Sequence, residues 1–437
     1  MLCSIGRQFS DWSSEYKLFS LERFDRDALF GAVRREVADE IGPSAPFIAS
    51  MDDTGLKKTG TKIPGVSYRR DPMSPPFSVN FIRAQRFVQM SACVPMGRGA
   101  APAKSIPIDY VHAPTPKKPR KPTPEQVLEY KAASEKMKLS KVGAARIAKL
   151  RNDLDEDERG RERKLWVSVD GSYTNATVLK SLPERTGLIG RIRGDAKLYR
   201  PPIPKEAGAK GRKKWYGERV PTPEEIRLDD SIPWTTVNVF AAGKIHETRI
   251  KAVAPLLWRA AGYDKPLMLI VISPLAYRLR KKSKLLYRQP AYLICTDLES
   301  MPEKTVQAYF WRWGIEVNHR DEKQIIGVGE AQLTSEGGAN HAPEFFVAVY
   351  SMFLLAGLRA FRDADSAPDL LPQPKWRRND KKSTPSTQDL IAQIRSDLWK
   401  SHLDRPHFSG FATPYRSNAK PKKFTPRLAD SVLYAVK

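Results

Sequence analysis

Two short apolar runs that each end in an acidic residue constrain the fold of this chain more than any other feature. The first run spans residues 46–54 and closes with Asp52, Asp53 and Thr54, and the second, LWVSVD, ends at Asp170. Each run has the length and flanking residues of a buried strand. The chain therefore uses one arrangement twice, a buried strand that delivers an aspartate into a cleft.

The charge of the chain indicates a polyanionic partner. Its 437 residues carry a formal net charge of +25, and 41% of them are hydrophobic, which is typical of a folded protein and excludes a disordered polycation. A field of this sign attracts nucleic acid. The alternative, a basic protein kept in solution by its charge, stays open on charge alone.

Membrane and secretory classes are not expected. The longest apolar stretch, residues 345–358, is too short to cross a bilayer and is predicted as a buried helix. Residues 1–9 lack the apolar core of a signal peptide. Cys3, Cys93 and Cys295 are far apart and show no CxxC spacing, so neither a disulfide framework nor a structural zinc site is expected.

The remaining elements follow from hydrophobic periodicity and turn residues. Helices are predicted at residues 23–37, 123–158, 302–326, 344–361 and 388–402. Extended segments are predicted within residues 77–94 with a break at 83–86, and at 235–240, 267–273 and 292–296. The Pro- and Lys-rich residues 100–124 are predicted as a loop or linker.

The predicted helix at residues 302–326 carries an unusual polar stripe. At about 100° per residue, Tyr309, Arg312, Glu316 and Lys323 fall within an arc of about 60°. One carboxylate among these groups suits a metal ligand flanked by phosphate-binding side chains. A solvated face held by salt bridges would give the same pattern, and for this helix alone the two interpretations are equally good.

These residues resemble a known family. The spacing Tyr309-x2-Arg312-x3-Glu316-x6-Lys323 is similar to the signature of one subgroup of the DDE transposases of bacterial insertion sequences. The two aspartate runs resemble the other conserved blocks of that family in the same order. The resemblance implies that Asp53, which precedes a threonine, Asp170 and Glu316 are the catalytic and metal-binding residues. The choice between Asp52 and Asp53 stays open, because Asp52 could itself be the true ligand or could raise the pKa of Asp53.

The resemblance also implies an architecture. We expect an α/β fold with a ribonuclease-H-like catalytic domain, a mixed sheet with flanking helices, interrupted by a mostly β insertion. The expected segments are a helical N-terminal segment at 1–44, the first catalytic part at 45–194, the insertion at 195–288, the second catalytic part at 289–363 and a basic C-terminal tail at 364–437.

The implied activity is a DNA transposase that cleaves transposon ends and transfers strands by cut-and-paste phosphoryl transfer. The implied cofactor is a pair of Mg²⁺ ions, with Mn²⁺ as a substitute. The implied partners are the inverted repeats, target DNA and a second copy of the chain in a homodimer, in the bacterial cytoplasm at the nucleoid. Only about fifty residues precede Asp53, so a truncated or domesticated DNA-binding copy without catalysis is an alternative, as is a nuclease of the same fold.

Several basic residues are candidate DNA contacts. By resemblance, Tyr309, Arg312 and Lys323 bind phosphates of the transposon end. Lys57 and Lys58, with Arg69 and Arg70, are either phosphate contacts or an exposed charged loop. His319, one turn beyond Glu316, is more often structural than ligating in such a position. A basic and aromatic set in the insertion suits DNA stacking and comprises Arg191, Arg193, Lys210, Arg212, Lys213, Lys214, Trp215 and Tyr216.

Overall fold

A computed structural model describes most of the chain. The described residues are 11, 13–21, 23–71, 74–75, 77–203, 214–278, 283–362 and 385–400. The chain divides into two compact units, Asp25–Leu355, and Met1–Phe24 together with Ala356–Lys437. Every candidate site residue lies in the unit Asp25–Leu355.

The described residues form ten α-helices and twelve strands. The helices are α1 Ser13–Ser20, α2 Arg26–Glu40, α3 Pro124–Lys136, α4 Leu139–Glu156, α5 Ala176–Lys180, α6 Pro223–Leu228, α7 Pro302–Trp311, α8 Trp313–Asp321, α9 Glu336–Arg362 and α10 Thr387–Lys400. The strands are β1 Phe47–Lys57, β2 Ser67–Arg70, β3 Phe81–Pro95, β4 Ala103–His112, β5 Leu165–Val169, β6 Thr186–Arg191, β7 Thr235–Ala241, β8 Lys244–Trp258, β9 Tyr263–Ile272, β10 Ala276–Tyr277, β11 Leu286–Tyr287 and β12 Ala291–Cys295.

Ten of the strands form one mixed sheet. Its order is β2-β3-β1-β5-β6-β12-β9-β8-β7, with β4 also paired to β3. The strands β1, β5 and β6 run parallel, and the other pairs of this sheet are antiparallel. Met51 on β1 pairs with Val169 on β5, so Asp52 and Asp170 follow at the same level of two neighbouring parallel strands. The predicted pair of aspartate-bearing strands is present.

Helices pack against both faces of this sheet. On one face, Val306 and Ala308 of α7 join a buried cluster with Ile48, Trp166 and Ile270 of the strands. On the other face lies α4, where Gly143 comes so close that a Cβ atom would stand 2.8 Å from the Tyr173 ring and 2.9 Å from Met51. Alternate residues of a strand point to opposite faces. The even-numbered residues of β1 therefore point toward α7, and the odd-numbered residues point toward α4.

The prediction for residues 77–124 was wrong at two points. Residues 81–95 form one continuous strand, β3, without the expected break, because nearly its whole length pairs with β1 and β4. Residues 103–112 form β4, although a loop was predicted. Pro107 is tolerated there because β4 pairs with β3 alone and its other side needs no ladder hydrogen bond.

Two long predicted helices are divided in the structure. The first divides into α3 and α4 at Met137, whose backbone caps α3, and the capping box of Thr123 and Gln126 starts α3 beside Pro124. The second is tightened at Arg312 by two hydrogen bonds between residues three apart, Arg312 to Tyr309 and Ile315 to Arg312. It then continues through α8 into a π-helical turn, Glu322–Ile326, and ends at Gly327 in a left-handed conformation (φ 75°).

The helix α9 is longer than the predicted 344–361. Its residues Glu336–Phe361 are long and apolar enough to cross a membrane by length and composition, which the shorter apolar stretch is not. Within the unit Asp25–Leu355 this helix acts as a core helix: Val347 and Ala348 pack in a cluster with Phe30, Leu56 and Phe87. A core helix of this kind passes the same length and composition test.

The β-rich segment between β6 and β12 extends the central sheet. Its strands β7, β8 and β9 continue the sheet beyond β12, and β10 pairs separately with β11. Of the predicted C-terminal tail, residues 385–400 are described, and they contain α10. The rest of residues 364–437 lies outside the described part of the chain.

Candidate active site

The two adjacent aspartates of β1 point to opposite faces of the sheet. Asp52 lies on the face that carries α7 and α8. Ser168 of β5 points to this face, because it donates a hydrogen bond to the carbonyl of Ala308 in α7 (3.2 Å). Ser168 pairs with Ser50 of β1, and Asp52, two residues after Ser50, points to the same face. Asp53 lies on the α4 face and accepts a hydrogen bond from the Tyr173 hydroxyl (3.3 Å). Because they are adjacent on a strand, the two carboxylates have different surroundings.

Arg312 joins Asp52 to Glu316. Its Nη1 lies 3.4 Å from Asp52 Oδ2 and its Nη2 lies 3.0 Å from Glu316 Oε1. The guanidinium carbon stands 5.8 Å from the centre of the Tyr309 ring. The helix is held on the sheet at this point because Asn318 hydrogen-bonds both the hydroxyl and the carbonyl of Ser105 on β4. Gly314 permits this approach, since a Cβ there would stand 2.6 Å from Ser105.

Asp170 is fixed by the turn that follows β5. Its Oδ1 accepts hydrogen bonds from the Ser172 amide (2.9 Å), the Ser172 hydroxyl (2.6 Å) and the Tyr173 amide (3.4 Å). Its backbone carbonyl accepts a bond from the Thr174 hydroxyl (2.8 Å). All three side-chain bonds use one oxygen, so Oδ2 is left for a ligand.

The electrostatics place Asp52 beside Asp170. Burial and the negative charge of Asp170 together raise the pKa of Asp52 to about 7, against the lowering effect of Arg312. Burial also raises the pKa of Asp53. Arg86 and the Tyr173 hydroxyl lower it, and the charge of Asp170 raises it. Both carboxyls therefore feel the charge of Asp170, which is the largest effect after burial on the pKa of Asp52 and a smaller one on the pKa of Asp53. A bound cation would relieve this repulsion.

The donors suit a hard divalent cation, although they are not gathered as a finished metal site. Among the residues that the structure describes, no group of three His, Cys, Asp or Glu side chains is arranged to hold a metal ion. The positive charge between Asp52 and Glu316 comes from Arg312 instead. Carboxylate oxygens are nevertheless the ligands that Mg²⁺ prefers, and Asp52, Asp170 and Glu316 supply them on one side of the sheet.

A cleft opens beside these carboxylates. Its volume is about 1440 Å³, and its walls include Asp52, Asp53, Glu316 and Lys323. The hairpin of β2 and β3 contributes Tyr68, Arg69 and Arg70 to the same cleft, as does Arg86 of β3. Sequence reasoning missed Arg86 and the exposed ring of Tyr68. The alternation of side chains along β2 and β3 would have indicated which of these residues share a face. Counting basic residues without that alternation does not show it.

The predicted DNA contacts are used in different ways. Lys57 is exposed at the cleft and lies 3.5 Å from Asp71. Lys58 is buried, and its ammonium donates to the carbonyls of Gly329 (2.9 Å) and Ala331 (2.6 Å), so it fastens the end of β1 to the 329–331 loop. The structure thus places Lys57 and Lys323 at the cleft and commits Lys58 to the protein's own backbone.

His319 lines the cleft but is mostly buried. Burial lowers its pKa to about 3, with the charges of Lys323 and Arg312 adding to the effect, so its imidazole is neutral. Its Nε2 has no hydrogen-bond partner among the described residues. A role toward metal or DNA stays a prediction.

The predicted basic and aromatic set of the insertion is only partly described. Lys210, Arg212 and Lys213 lie outside the described residues. Arg193 pairs with Asp195 (2.8 Å), and Tyr216 packs against Tyr199, with ring centres 5.6 Å apart. Trp215 is exposed. Of the described members, Arg193 and Tyr216 thus contact other residues of the chain, and a DNA-stacking role for the set stays a prediction.

The mixed sheet with flanking helices, and the carboxylates beside a cleft lined by basic residues, are consistent with an α/β nuclease. The chain matches the family described as DDE superfamily endonuclease over residues 12–262, more than half of its length, and it belongs to that family. The family consists of endonucleases that act on DNA and generally use divalent metal ions. The match contains both aspartate-bearing strands and ends before α7, so the assignment of Glu316 depends on the geometry described above. A comparison with curated proteins gives no match.

Proposed function

We propose that this protein is a transposase of a bacterial insertion sequence that cuts the ends of its element and joins them to target DNA. One observation carries the proposal. Asp52 and Asp170 follow paired positions of two neighbouring parallel strands, and Arg312 joins Asp52 to Glu316 beside a basic cleft. This arrangement offers oxygen ligands for metal ions and positive charge for phosphates in the same place.

The first carboxylate in this proposal is Asp52. The sequence favoured Asp53 because it precedes a threonine, and that assignment stays a prediction that the geometry does not favour. Asp53 is turned toward Tyr173 and Arg86 on the α4 face. Asp52 is the carboxyl in contact with Arg312 and close to Asp170.

Asp52, Asp170 and Glu316 would hold two Mg²⁺ ions, which when bound activate the oxygen nucleophile and stabilise the leaving oxygen. Arg312 and Tyr309 bind the phosphate nearest the carboxylates, and Lys323 and Lys57 bind neighbouring phosphates. In the first step a water oxygen bonds to phosphorus as the bond to the 3′ oxygen breaks. In the second step the freed 3′-hydroxyl attacks a target phosphodiester and displaces its 3′ oxygen.

The finer architecture belongs to the same proposal. The antiparallel strands β1, β3 and β4, continued by the parallel strands β5 and β6, support a ribonuclease-H-like catalytic domain. Residues 195–288, which contribute β7 to β11, support a β-rich insertion between Asp170 and Glu316. A homodimer that bridges two transposon ends at the nucleoid completes the proposal.

The test is a cleavage assay in Mg²⁺ on a plasmid that carries the gene's own flanking DNA. Wild type is compared with Glu316→Ala and with Glu303→Ala, an exposed control on α7. We expect cleavage and joined products from wild type and the control, and neither from Glu316→Ala, while all three bind the flanks. Cleavage without joining would indicate a nuclease. Binding without cleavage by wild type would indicate a domesticated copy.

A further inference from the structure

Two large aromatic side chains are exposed on the hairpin of β2 and β3. Tyr68 is 74% exposed and Phe81 is 66% exposed. Side chains of this size dominate the energetics of cores and interfaces when they are covered. Here they stand on a paired, regular stretch of the sheet, since Tyr68 pairs with Arg83 and Phe81 pairs with Arg70. Their exposure is therefore a property of a defined surface.

Arginines alternate with the two rings on this surface. The pairing places Arg83 opposite Tyr68 and Arg70 opposite Phe81, so all four side chains share one face of the hairpin. The Arg83 guanidinium carbon lies 5.9 Å from the centre of the Tyr68 ring. Arg83 is itself held by the carbonyls of Thr59 (3.2 Å) and Gly60 (2.9 Å). The ring therefore rests beside a fixed positive charge.

This surface lies on the same side of the sheet as the proposed metal ligands. Asp52 pairs with Gln89 on β3, and the pairing of β1 with β3 runs without interruption to Lys57 and Ala84. Arg83 is six residues from Gln89, an even number, so both point to one face. Tyr68 and Arg70 also line the cleft that contains Asp52 and Glu316. The aromatic surface is thus a continuation of the candidate active site.

We propose that Tyr68 and Phe81 stack against unpaired bases of single-stranded DNA that leaves the active-site cleft, while Arg70 holds its phosphates and the fixed Arg83 adds positive charge beside Tyr68. Exposed rings alternating with cations are what a single strand requires, because every base has a face for stacking and every linkage has a charge. The inference rests on the proposed DNA-cleaving function and adds a single-strand site to it.

Charge distinguishes DNA from a second copy of the chain as the occupant. The surface carries Arg70 and Arg83, and the adjoining cleft adds Lys57, Arg69 and Lys323. A second copy would bring the same net charge of +25 toward these groups. A polyanion is attracted to them.

The position of the surface sets where the bases are expected. Six residues of strand correspond to about 20 Å along β3. At about 3.4 Å for each stacked nucleotide, Tyr68 lies about six nucleotides from the level of Asp52. A fluorescent base analogue placed five to seven nucleotides from the cleavage point should therefore report the stacking.

The experiment measures binding of a labelled 15-nucleotide single strand and of the matched duplex to the full chain without Mg²⁺, by fluorescence anisotropy. We expect Tyr68→Ala and Phe81→Ala each to weaken single-strand binding about tenfold, as the loss of one stacked base does, with duplex binding changed less than twofold. Tyr68→Phe should keep wild-type affinity. The matched control is Tyr287→Ala, which removes a ring that is 63% exposed on the separate pair β10 and β11.

Two other outcomes would overturn the inference, and a third would separate it from the proposed function. An equal loss of single-strand and duplex binding would make the hairpin a general phosphate contact. Unchanged DNA binding, with a smaller mass of Tyr68→Ala by light scattering, would make it an interface between copies. If wild type binds single strands through Tyr68 yet cuts no DNA in Mg²⁺, the stacking site stands and the proposed function fails.

Discussion

Asp52 and Asp53 are identical neighbours on one strand, and they have different surroundings. Asp52 faces α8, contacts Arg312 and feels the charge of Asp170. Asp53 faces α4, accepts a hydrogen bond from Tyr173 and feels the charge of Arg86. Both residues line the cleft, and the face of the sheet decides which of them contacts Arg312, so we propose Asp52 as the metal ligand.

Lys57, the last residue of β1, and Lys58, the residue after it, repeat the comparison. Lys57 is exposed at the cleft, and Lys58 is buried with its ammonium bound to the carbonyls of Gly329 and Ala331. One member of each pair is thus available to a ligand, and the other stabilises the scaffold. Both pairs can be separated by experiment.

The largest expected effect separates the two aspartates. Asp52→Asn should reduce DNA cleavage about 100-fold or more, because a metal ligand supports several kcal/mol of transition-state charge stabilisation. Asp53→Asn keeps the hydrogen bond to Tyr173 possible and should lose less than about tenfold. The measurement is single-turnover cleavage of end DNA. Equal losses in the two variants would remove the distinction between the faces.

Glu322 is a buried carboxyl that does not line the cleft, and burial is the largest effect on its pKa. Burial raises the pKa of Glu322 to about 8, against smaller lowering effects of Gln89 and Lys323. Between about pH 4.5 and pH 8 the unfolded chain releases this proton and the folded chain keeps it, so stability falls as pH rises, by up to about 1.4 kcal/mol per pH unit.

Glu322→Gln should remove that contribution and gain stability relative to wild type as pH rises from 4.5 to 8. Urea unfolding at several pH values measures the difference, with the exposed Glu303→Gln as control. A constant difference across this range would contradict the assignment.

The lysine pair should divide stability from DNA binding. Lys58→Met leaves the half-buried carbonyls of Gly329 and Ala331 without their charged donor and should lower the free energy of unfolding by about 1–3 kcal/mol. Lys57→Met should change stability by less than about 1 kcal/mol, since its ion pair is exposed, and should reduce the salt dependence of DNA binding by about one unit of slope. The reverse assignment of the two effects would show that Lys58 faces DNA.

The smallest expected effect concerns the α4 face. Tyr173→Phe removes the hydrogen bond to Asp53 and leaves the ring packed against Gly143. We expect cleavage to fall less than about tenfold, as for a residue that positions a neighbour of the site. A loss as large as that of Asp52→Asn would place Asp53 and Tyr173 in the catalytic cluster.

The sequence was informative where local patterns decide the structure. The apolar runs before Asp52 and Asp170 gave two neighbouring strands, and Pro302 marked the start of the helical segment that bears Glu316. The match to the DDE superfamily endonucleases confirms the broad class.

The sequence was less informative where contacts between residues far apart in the chain determine the structure. The choice between Asp52 and Asp53 depends on which helix covers which face, and both residues satisfy the same local pattern. The strand β4 was missed because its pairing with β3 outweighs the turn propensity of its Pro- and Lys-rich surroundings. Gly314 approaches Ser105 closely beside the tightened turn at Arg312. Hydrophobic periodicity along the helix does not indicate such a contact.

The central claim is that Asp52, Asp170 and Glu316 form the metal site. The most direct test is Mn²⁺ binding, followed by electron paramagnetic resonance of the free ion, in wild type, Asp52→Asn and Asp53→Asn at pH 8 without DNA. The account predicts that Asp52→Asn loses Mn²⁺ binding and that Asp53→Asn retains it. Retention in Asp52→Asn together with loss in Asp53→Asn would contradict the account and move the site to the α4 face.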